Sequence, residues 1–186
     1  MRISLVYCPV VCLPYPPSIG LAYINSFLKN AGHDVSVFDM NIEFFHSLDS
    51  GIKKRWNNPK AGGFIKLAEE IISEYNNSIN EYIKKILGTD PAVVGFSVWD
   101  SNVPISLKVA REIKKINKNI IVIFGGPQSF PLRSGNYLIR ENCVDAVVYG
   151  EGEETLKEII EHLECKGELG FHKGALIKKD CNIIDC

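Results

Sequence analysis

Five short apolar segments, separated by longer stretches with helical spacing, constrain the fold of this chain more than any other feature. The segments cover residues 3–8, 35–39, 92–98, 120–124 and 145–149. Most of them lack the alternation of polar and apolar residues that marks a strand with one face in water, so both faces should be buried. Strands that alternate with helices in this way form mainly parallel sheets with helices on both sides.

The stretches between the apolar segments predict the helices. Helical spacing is present over 19–31, 64–87, 104–116 and 153–163, and a short helix is expected at 136–141. We expect 64–87 to be one long helix, and 41–63 to be a short helix followed by a loop. With right-handed crossovers, the predicted fold is α/β and Rossmann-like (flavodoxin-like), a three-layer α/β/α arrangement. Its mainly parallel sheet has five strands, and a small C-terminal hairpin covers 174–185. We predict a domain over residues 1–165, with 166–186 forming the hairpin or the start of a linker.

Charge and composition exclude several classes of protein. The chain of 186 residues has 21 Lys and Arg against 22 Asp and Glu, for a net charge of -1. A strongly basic nucleic-acid binder is therefore excluded, and no nucleic-acid partner is expected. No apolar run approaches the roughly 20 residues that span a bilayer, and the start lacks the long apolar region of a signal peptide. We expect a cytoplasmic protein with no membrane partner.

The six cysteines do not form a C-x-x-C pair, which disfavours a zinc ribbon or a disulfide framework. Cys8 and Cys12 have C-x-x-x-C spacing, and thiolates there could meet a soft metal such as cobalt or iron. An iron–sulfur cluster usually needs further cysteines, and Tyr15 stands where a third would follow. Ordinary reduced thiols are the favoured interpretation, and the metal alternative stays open.

Ligands of open α/β sheets bind at the carboxyl ends of the strands. That rule selects four loops, at 9–18, 99–103, 125–133 and 150–154, and none of them contains a histidine. A Ser/His/Asp or Cys/His catalytic set is therefore poorly supported. We predict no catalytic residue and no protein ligand to a metal in this chain.

Two of these loops are rich in glycine. The glycines of the segment 125–127 (GGP) have no side chains and would let a ligand approach the backbone. A tight strand-to-helix turn is an alternative explanation for these glycines. The segment 150–154 (GEGEE) lacks the Lys and Ser/Thr of a phosphate loop, and its three carboxylates would repel a triphosphate. Glu153 and Glu154 suit a helix N-terminus, whereas Glu151 could accept hydrogen bonds from a neutral ligand edge. Trp99 could form an apolar wall against a flat macrocycle or cap the core.

Several segments occur in an order that is more specific than any one loop. They are 16–23 (PPSIGLAY), 31–35 (AGHDV), 90–97 (DPAVVGFS), 125–128 (GGPQ) and 145–155 (DAVVYGEGEET). This series resembles the N-terminal cobalamin-binding domain of cobalamin-dependent radical S-adenosylmethionine enzymes, over roughly residues 1–165. The resemblance implies a domain that holds cobalamin for a radical S-adenosylmethionine catalytic domain, in a methyltransferase or a ring-forming enzyme.

The resemblance also implies which residues contact cobalamin. Ser97 matches a serine that approaches the nucleotide tail, Gly125 and Gly126 match a glycine pair beneath that tail, and 150–152 match a rim loop. The first loop would lie near the lower face of the corrin. The candidate cofactor-binding residues are Leu13, Pro14, Pro17, Ser97, Trp99, Asp100, Ser101, Gly125, Gly126, Pro127, Gly150, Glu151 and Gly152.

Two departures from related patterns qualify this expectation. Cobalamin domains of mutases and methionine synthase carry D-x-H-x-x-G after the first strand, where the histidine ligates cobalt. The matching loop here, 8–14, has no histidine, so we expect cobalamin to be held without a histidine ligand. The C-x-x-x-C-x-x-C cluster motif of the catalytic domain is also missing. S-adenosylmethionine and an iron–sulfur cluster would therefore belong to a catalytic domain outside this chain, which would be a fragment or a separate carrier.

Two further hypotheses stay open. The chain could be a degenerate Rossmann-like interaction domain that binds no cobalamin and contacts a partner domain or a peptide substrate. It could also be a small flavin or nucleotide binder of the same topology, although the lack of a phosphate loop makes that the weakest alternative.

Overall fold

A computed structural model of the protein describes residues 1–10, 17–57, 63–179 and 182–185. Its strands are β1 (Arg2–Tyr7), β2 (Asp34–Asp39), β3 (Val93–Ser97), β4 (Ile121–Gly125), β5 (Ala146–Val148), β6 (Ala175–Lys179) and β7 (Asn182–Asp185). Its helices are α1 (Ile19–Asn30), α2 (Met40–Ser47), α3 (Ser50–Asn57), α4 (Gly63–Glu74), α5 (Asn76–Leu87), α6 (Val103–Ile116), α7 (Asn136–Leu138) and α8 (Gly152–Lys166), with a π-helical turn at Pro131–Gly135.

All the described strands belong to one sheet, in the order β2-β1-β3-β4-β5-β6-β7. The first five pair in parallel, whereas β6 and β7 are antiparallel. The predicted flavodoxin-like order of five parallel strands is confirmed. The predicted hairpin also forms, but it pairs with β5 and extends the same sheet to seven strands.

The region before β3 differs from the sequence prediction. The single helix expected over 64–87 is wrong, because α4 and α5 are separated by Tyr75, whose backbone leaves the helical conformation. The Tyr75 hydroxyl donates to Asp49 Oδ2 at 3.0 Å, and its ring packs edge-on against Phe44. These contacts fix the break between the two helices. The expected loop before α4 is also partly wrong, because α3 forms there and places Trp56 in the core.

The sheet separates two apolar layers. The open face carries the side chains of Ile3, Leu5, Tyr7, Val93, Ile123, Ala146 and Val148 and is covered by α1 and α8. The filled face carries Val6, Val94, Phe96, Val122, Phe124 and Val147 and is covered by α2 to α7. Within the described residues, no helix is long and apolar enough to cross a membrane.

Candidate ligand-binding site

A cavity of about 500 Å³ lies on the open face, at the carboxyl ends of the parallel strands. It opens between the first turns of α1 and α8. The two helices approach each other further along, where Lys157 Nζ lies 5.8 Å from the centre of the Phe27 ring. The apolar walls are formed by Leu5, Ile24, Ile123, Val148 and Leu156. The cavity therefore occupies the crevice in which sheets of this topology bind ligands.

Strand register explains why there is space at this place. Gly95 pairs with Leu5 on one side and with Ile123 on the other, and a Cβ atom at Gly95 would lie 3.1 Å from Leu5 Cδ2. One step further along, Ser97 pairs with Gly125. Because alternate residues of a strand face the same side, Gly95, Ser97 and Gly125 leave a depression in the open face.

The two glycines at the end of β4 have different roles. Gly126 has a φ of +102°, and a Cβ atom there would lie 2.9 Å from the backbone nitrogen of Val98. Glycine at 126 is therefore required by the turn itself. At Gly125 a Cβ atom would meet only the carbonyl oxygen of Val148, at an ordinary contact distance of 3.7 Å. Gly125 is thus the member of the pair whose missing side chain keeps space free in the cavity.

The rim of the cavity is formed by the starts of α1 and α8 and by Trp99 in the β3–α6 turn. Ser18 caps α1 by accepting a hydrogen bond from the Leu21 backbone at 3.3 Å. Glu153 and Glu154 occupy the first turn of α8, which confirms their predicted place at a helix N-terminus. Trp99 is 39% exposed at the start of the β3–α6 turn.

The completely buried Asn102 joins the segments beneath this rim. Its Oδ1 accepts from the Trp99 backbone at 2.8 Å, and its Nδ2 donates to the carbonyl oxygens of Ser97 at 3.1 Å and Cys8 at 3.2 Å. One side chain thus connects the carboxyl ends of β1 and β3. Sequence reasoning missed it, because an asparagine in a polar turn carries no signal of such contacts.

The polar groups of the cavity are neutral or acidic. Among its described lining residues there is no Lys, Arg, His or Cys, while Glu151 and Glu153 bring carboxylates to the α8 side. Burial, together with the nearby Asp39 carboxylate, raises the pKa of Tyr7 to about 12. Burial likewise raises the pKa of Asp39. The site therefore suits an uncharged ligand group better than a phosphate.

The structure brings most of the predicted site residues together. The cavity is lined by Pro17, Ser97, Trp99, Gly125, Gly126, Pro127, Gly150, Glu151 and Gly152. Asp100 and Ser101 lie in the turn before α6 and are not part of the lining, and Leu13 and Pro14 fall outside the described residues. That these residues contact cobalamin stays a prediction. Sequence reasoning missed Tyr7 and Gly95. For Gly95 there was a usable signal, because Gly95 and Ser97 flank Phe96 at the end of a strand.

None of the described cysteines and histidines lines the cavity. Cys8 is fully buried, and burial raises the pKa of its thiol to about 12, so it stays protonated. Cys143 is buried and Cys165 is exposed, and neither carries a disulfide; Cys12, Cys181 and Cys186 fall outside the described residues. The described part of the chain contains no group of three or more His, Cys, Asp or Glu residues arranged to hold a metal ion.

Comparison with known proteins supports a single family. The family model described as the B12 binding domain matches residues 60–160, more than half of the chain. The chain belongs to the B12-binding domain family. The "Uncharacterized methyltransferase PH0819" of Pyrococcus horikoshii is 33% identical over 161 residues, which are 83% of this chain and 27% of that protein. The "Anaerobic magnesium-protoporphyrin IX monomethyl ester cyclase" of a Synechocystis strain is 27% identical over 91% of this chain and 28% of its own length.

Solved structures show the same fold for this B12-binding domain. The radical S-adenosylmethionine methyltransferase TsrM from Kitasatospora setae, solved with cobalamin and a [4Fe-4S] cluster, aligns with a TM-score of 0.66 and 16% identity, over 99% of this chain and 30% of that one. The radical enzyme OxsB, solved with aqua-cobalamin and S-adenosylmethionine, aligns with a TM-score of 0.68 and 18% identity, over 99% and 22%. The resemblance predicted from the sequence is confirmed. The chain spans between a fifth and a third of the length of these proteins.

Proposed function

We propose that this chain is the cobalamin-binding domain of a radical S-adenosylmethionine enzyme, and that its cavity receives the nucleotide tail of the cofactor. The observation that carries the proposal is the apolar cavity of about 500 Å³ at the carboxyl edge, floored by Gly95 and Gly125. This volume lies within the range of about 300–1,000 Å³ that is usual for small-molecule sites.

The residues present fit the uncharged part of such a tail. Apolar walls suit a flat aromatic base, and the open position at Gly125 lets that base approach the strand ends. Ser97 and Tyr7 are the hydroxyl groups on the floor of the cavity. Since the described lining contains no Lys or Arg, the phosphate of the tail would stay near solvent. We expect the corrin to lie outside, above the strand ends and close to Trp99.

We further propose that cobalt receives no ligand from a histidine of this chain. No described residue of the cavity lining is a histidine, and the Cys8 thiol is buried and protonated. A tail held in the cavity would also keep its own base away from cobalt. Bound cobalamin would supply a cobalt centre able to carry a methyl group, while the protein supplies its position and surroundings.

The partner in this proposal is a radical S-adenosylmethionine catalytic domain, in the same longer chain or as a separate protein. The similar proteins are three to five times as long as this chain, and their names describe methyltransferases, a cyclase and a cobalamin-dependent S-adenosylmethionine radical enzyme. In this proposal S-adenosylmethionine and the iron–sulfur cluster bind to that other domain. The reaction would be a methyl transfer or a ring formation.

Reconstitution with aquacobalamin tests the proposal. We expect corrin to elute with the protein on gel filtration in a ratio close to one, when protein and cofactor are mixed at micromolar concentration. After reduction to cobalt(II), the electron paramagnetic resonance spectrum should lack the splitting that an axial nitrogen ligand produces. A protein that elutes without corrin would contradict cofactor binding, and nitrogen splitting would contradict the proposed coordination.

A second candidate function is an interaction domain without cobalamin. It is favoured by exposed apolar side chains near the carboxyl edge: Leu132 is 100% exposed, Ile19 71% and Phe130 46%. This candidate predicts that the chain retains no corrin yet forms a complex with its catalytic domain, and that Leu132→Ser weakens this complex.

A further inference from the structure

Tyr7 brings to the cavity a hydroxyl group that no contact with another described residue explains. It is the last residue of β1, its side chain is 4% exposed, and it lines the cavity. Among the described residues its hydroxyl has no hydrogen-bond partner, although Asp39 is paired with it in register. The Tyr7 hydroxyl is not among the enclosed polar atoms that lack a partner, so it is accessible from the cavity. A bound ligand can therefore supply the hydrogen-bond partner that the described residues do not.

The protonation state of Tyr7 determines what that partner is. Because the pKa of Tyr7 is raised to about 12, the hydroxyl is protonated at neutral pH and is available to donate. Its surroundings are the apolar Leu5 side chain, the bare backbone of Gly95 and the Ser97 position of the adjacent strand, and the Asp39 carboxylate lies near enough to raise its pKa. A donor in such a setting favours an uncharged acceptor atom.

The position of Tyr7 assigns that acceptor to the tail of the cofactor. Tyr7 belongs to the floor of the cavity, which we propose to hold the nucleotide tail, whereas the corrin would lie outside. We infer that the Tyr7 hydroxyl donates a hydrogen bond to an acceptor of the nucleoside part of the tail, and so selects corrinoids that carry this tail. This inference rests on the proposed function.

Binding sites that hydrogen-bond one group of a ligand discriminate strongly against analogues that lack the group, because the polar group of the site is then left unpaired. By this reasoning Tyr7 adds to the affinity for a complete cobalamin and adds nothing for cobinamide, which lacks the nucleotide.

The test compares Tyr7→Phe with the wild type and with a control, Tyr23→Phe, at an exposed tyrosine of α1 that does not line the cavity. Dissociation constants are measured for aquacobalamin and for dicyanocobinamide, and each protein is melted without ligand. We expect Tyr7→Phe to weaken aquacobalamin binding by about tenfold, the size of one ordinary hydrogen bond, and to leave cobinamide binding unchanged. The melting temperature should stay the same or rise, since no internal hydrogen bond is removed.

Competition with dimethylbenzimidazole riboside extends the test where cobinamide binds too weakly to measure. The inhibition constant of the riboside itself should rise about tenfold in Tyr7→Phe, and it should stay at the wild-type value in Tyr23→Phe. Equal losses of aquacobalamin and cobinamide affinity, an unchanged aquacobalamin affinity, or a lower melting temperature in Tyr7→Phe would each overturn the role of Tyr7. Failure of the wild type to bind aquacobalamin would instead overturn the proposed function.

Discussion

The two faces of the sheet are built from alternate residues of the same strands, yet the described cavity at the strand ends lies on one of them. On the filled face, Phe96 and Phe124 lie with ring centres 5.0 Å apart beneath a layer of helices that includes the fully buried Trp56 and Phe44. On the open face, the neighbouring positions are Gly95 and Gly125, and a cavity of about 500 Å³ lies over them. One set of residues fills its layer, and the other leaves space at the strand ends.

Under the proposed function, this difference divides stability and binding between the two faces. Close packing on the filled face can hold the sheet together while the open face lacks side chains where a ligand is to be bound. A substitution should therefore affect stability on the filled face and affinity on the open face. The following predictions test this division, in order of decreasing expected effect.

The largest effect is expected at Trp56, which lies on the filled face. Its indole is 0% exposed and donates to the carbonyl oxygen of Val10 at 3.0 Å. Trp56→Ala should lower the free energy of unfolding by about 3–5 kcal/mol, as large-to-small core substitutions do. The matched control is Trp99→Ala at the rim of the open face, for which we expect a loss of less than about 1 kcal/mol. Urea denaturation followed by circular dichroism measures the free energy of unfolding of both variants. Equal losses of stability would contradict the proposed division between the two faces.

The glycine pair at the end of β4 should give the next largest effect. Gly126→Ala places a side chain at positive φ against the Val98 backbone, and should cost about 1–3 kcal/mol of stability. Gly125→Ala adds the same methyl group at an ordinary contact distance and should change stability by less than about 1 kcal/mol. Thermal denaturation compares the stabilities of the two variants with that of the wild type. A Gly125 variant as unstable as the Gly126 variant would show that both glycines serve the turn.

Ser97 provides a smaller effect, on affinity alone. Its hydroxyl lies at the cavity floor, and Ser97→Ala removes one potential hydrogen bond to the ligand. We expect cobalamin to bind up to about tenfold more weakly, with an unchanged melting temperature. Titration followed by the corrin absorbance gives the affinity. A lower melting temperature at full affinity would assign Ser97 to the fold rather than to the site.

The smallest effect concerns the pH dependence of stability at Asp39. Burial is the largest cause of its raised pKa, above the ordinary 3.8. The folded state therefore holds this proton to higher pH than the unfolded state, so stability falls as pH rises from the ordinary pKa to the raised one. Asp39→Asn keeps a side-chain oxygen for capping α2 and removes this dependence.

Urea midpoints of both proteins, measured between about pH 3 and about pH 7, check this prediction. The variant should gain stability relative to the wild type as pH rises through this interval, and the gain should remain at neutral pH. If the wild type instead becomes more stable than the variant as pH rises, folding favours the charged form of Asp39.

Sequence patterns predicted the sheet well because parallel strands are strongly marked. The five parallel strands, their order and the four loops at the carboxyl edge follow from apolar runs and from rules on crossovers. The break at Tyr75 and the helix that contains Trp56 were missed, because they depend on contacts with residues distant in the sequence, such as Asp49 and Val10. The spacing of apolar residues within one segment cannot predict such contacts.

The candidate site was predicted less completely than the sheet. The rim glycines were found as loop residues, but the pair Gly125 and Gly126 was treated as one feature, and only their backbone angles and surroundings separate them. Tyr7 and Gly95 were counted among the apolar strand residues. These two residues belong to the site because their side of the sheet is covered by only the two described helices α1 and α8. Which side that is depends on tertiary packing.

The central claim is that the cavity on the open face receives the tail of cobalamin. Aquacobalamin binding to Gly125→Leu tests it most directly, with Ala22→Leu, at an exposed position of α1 outside the cavity lining, as the control for an added leucine side chain. We predict that the wild type and Ala22→Leu bind aquacobalamin with the same affinity, and that folded Gly125→Leu binds it at least tenfold more weakly. Equal affinity of all three proteins would contradict the claim.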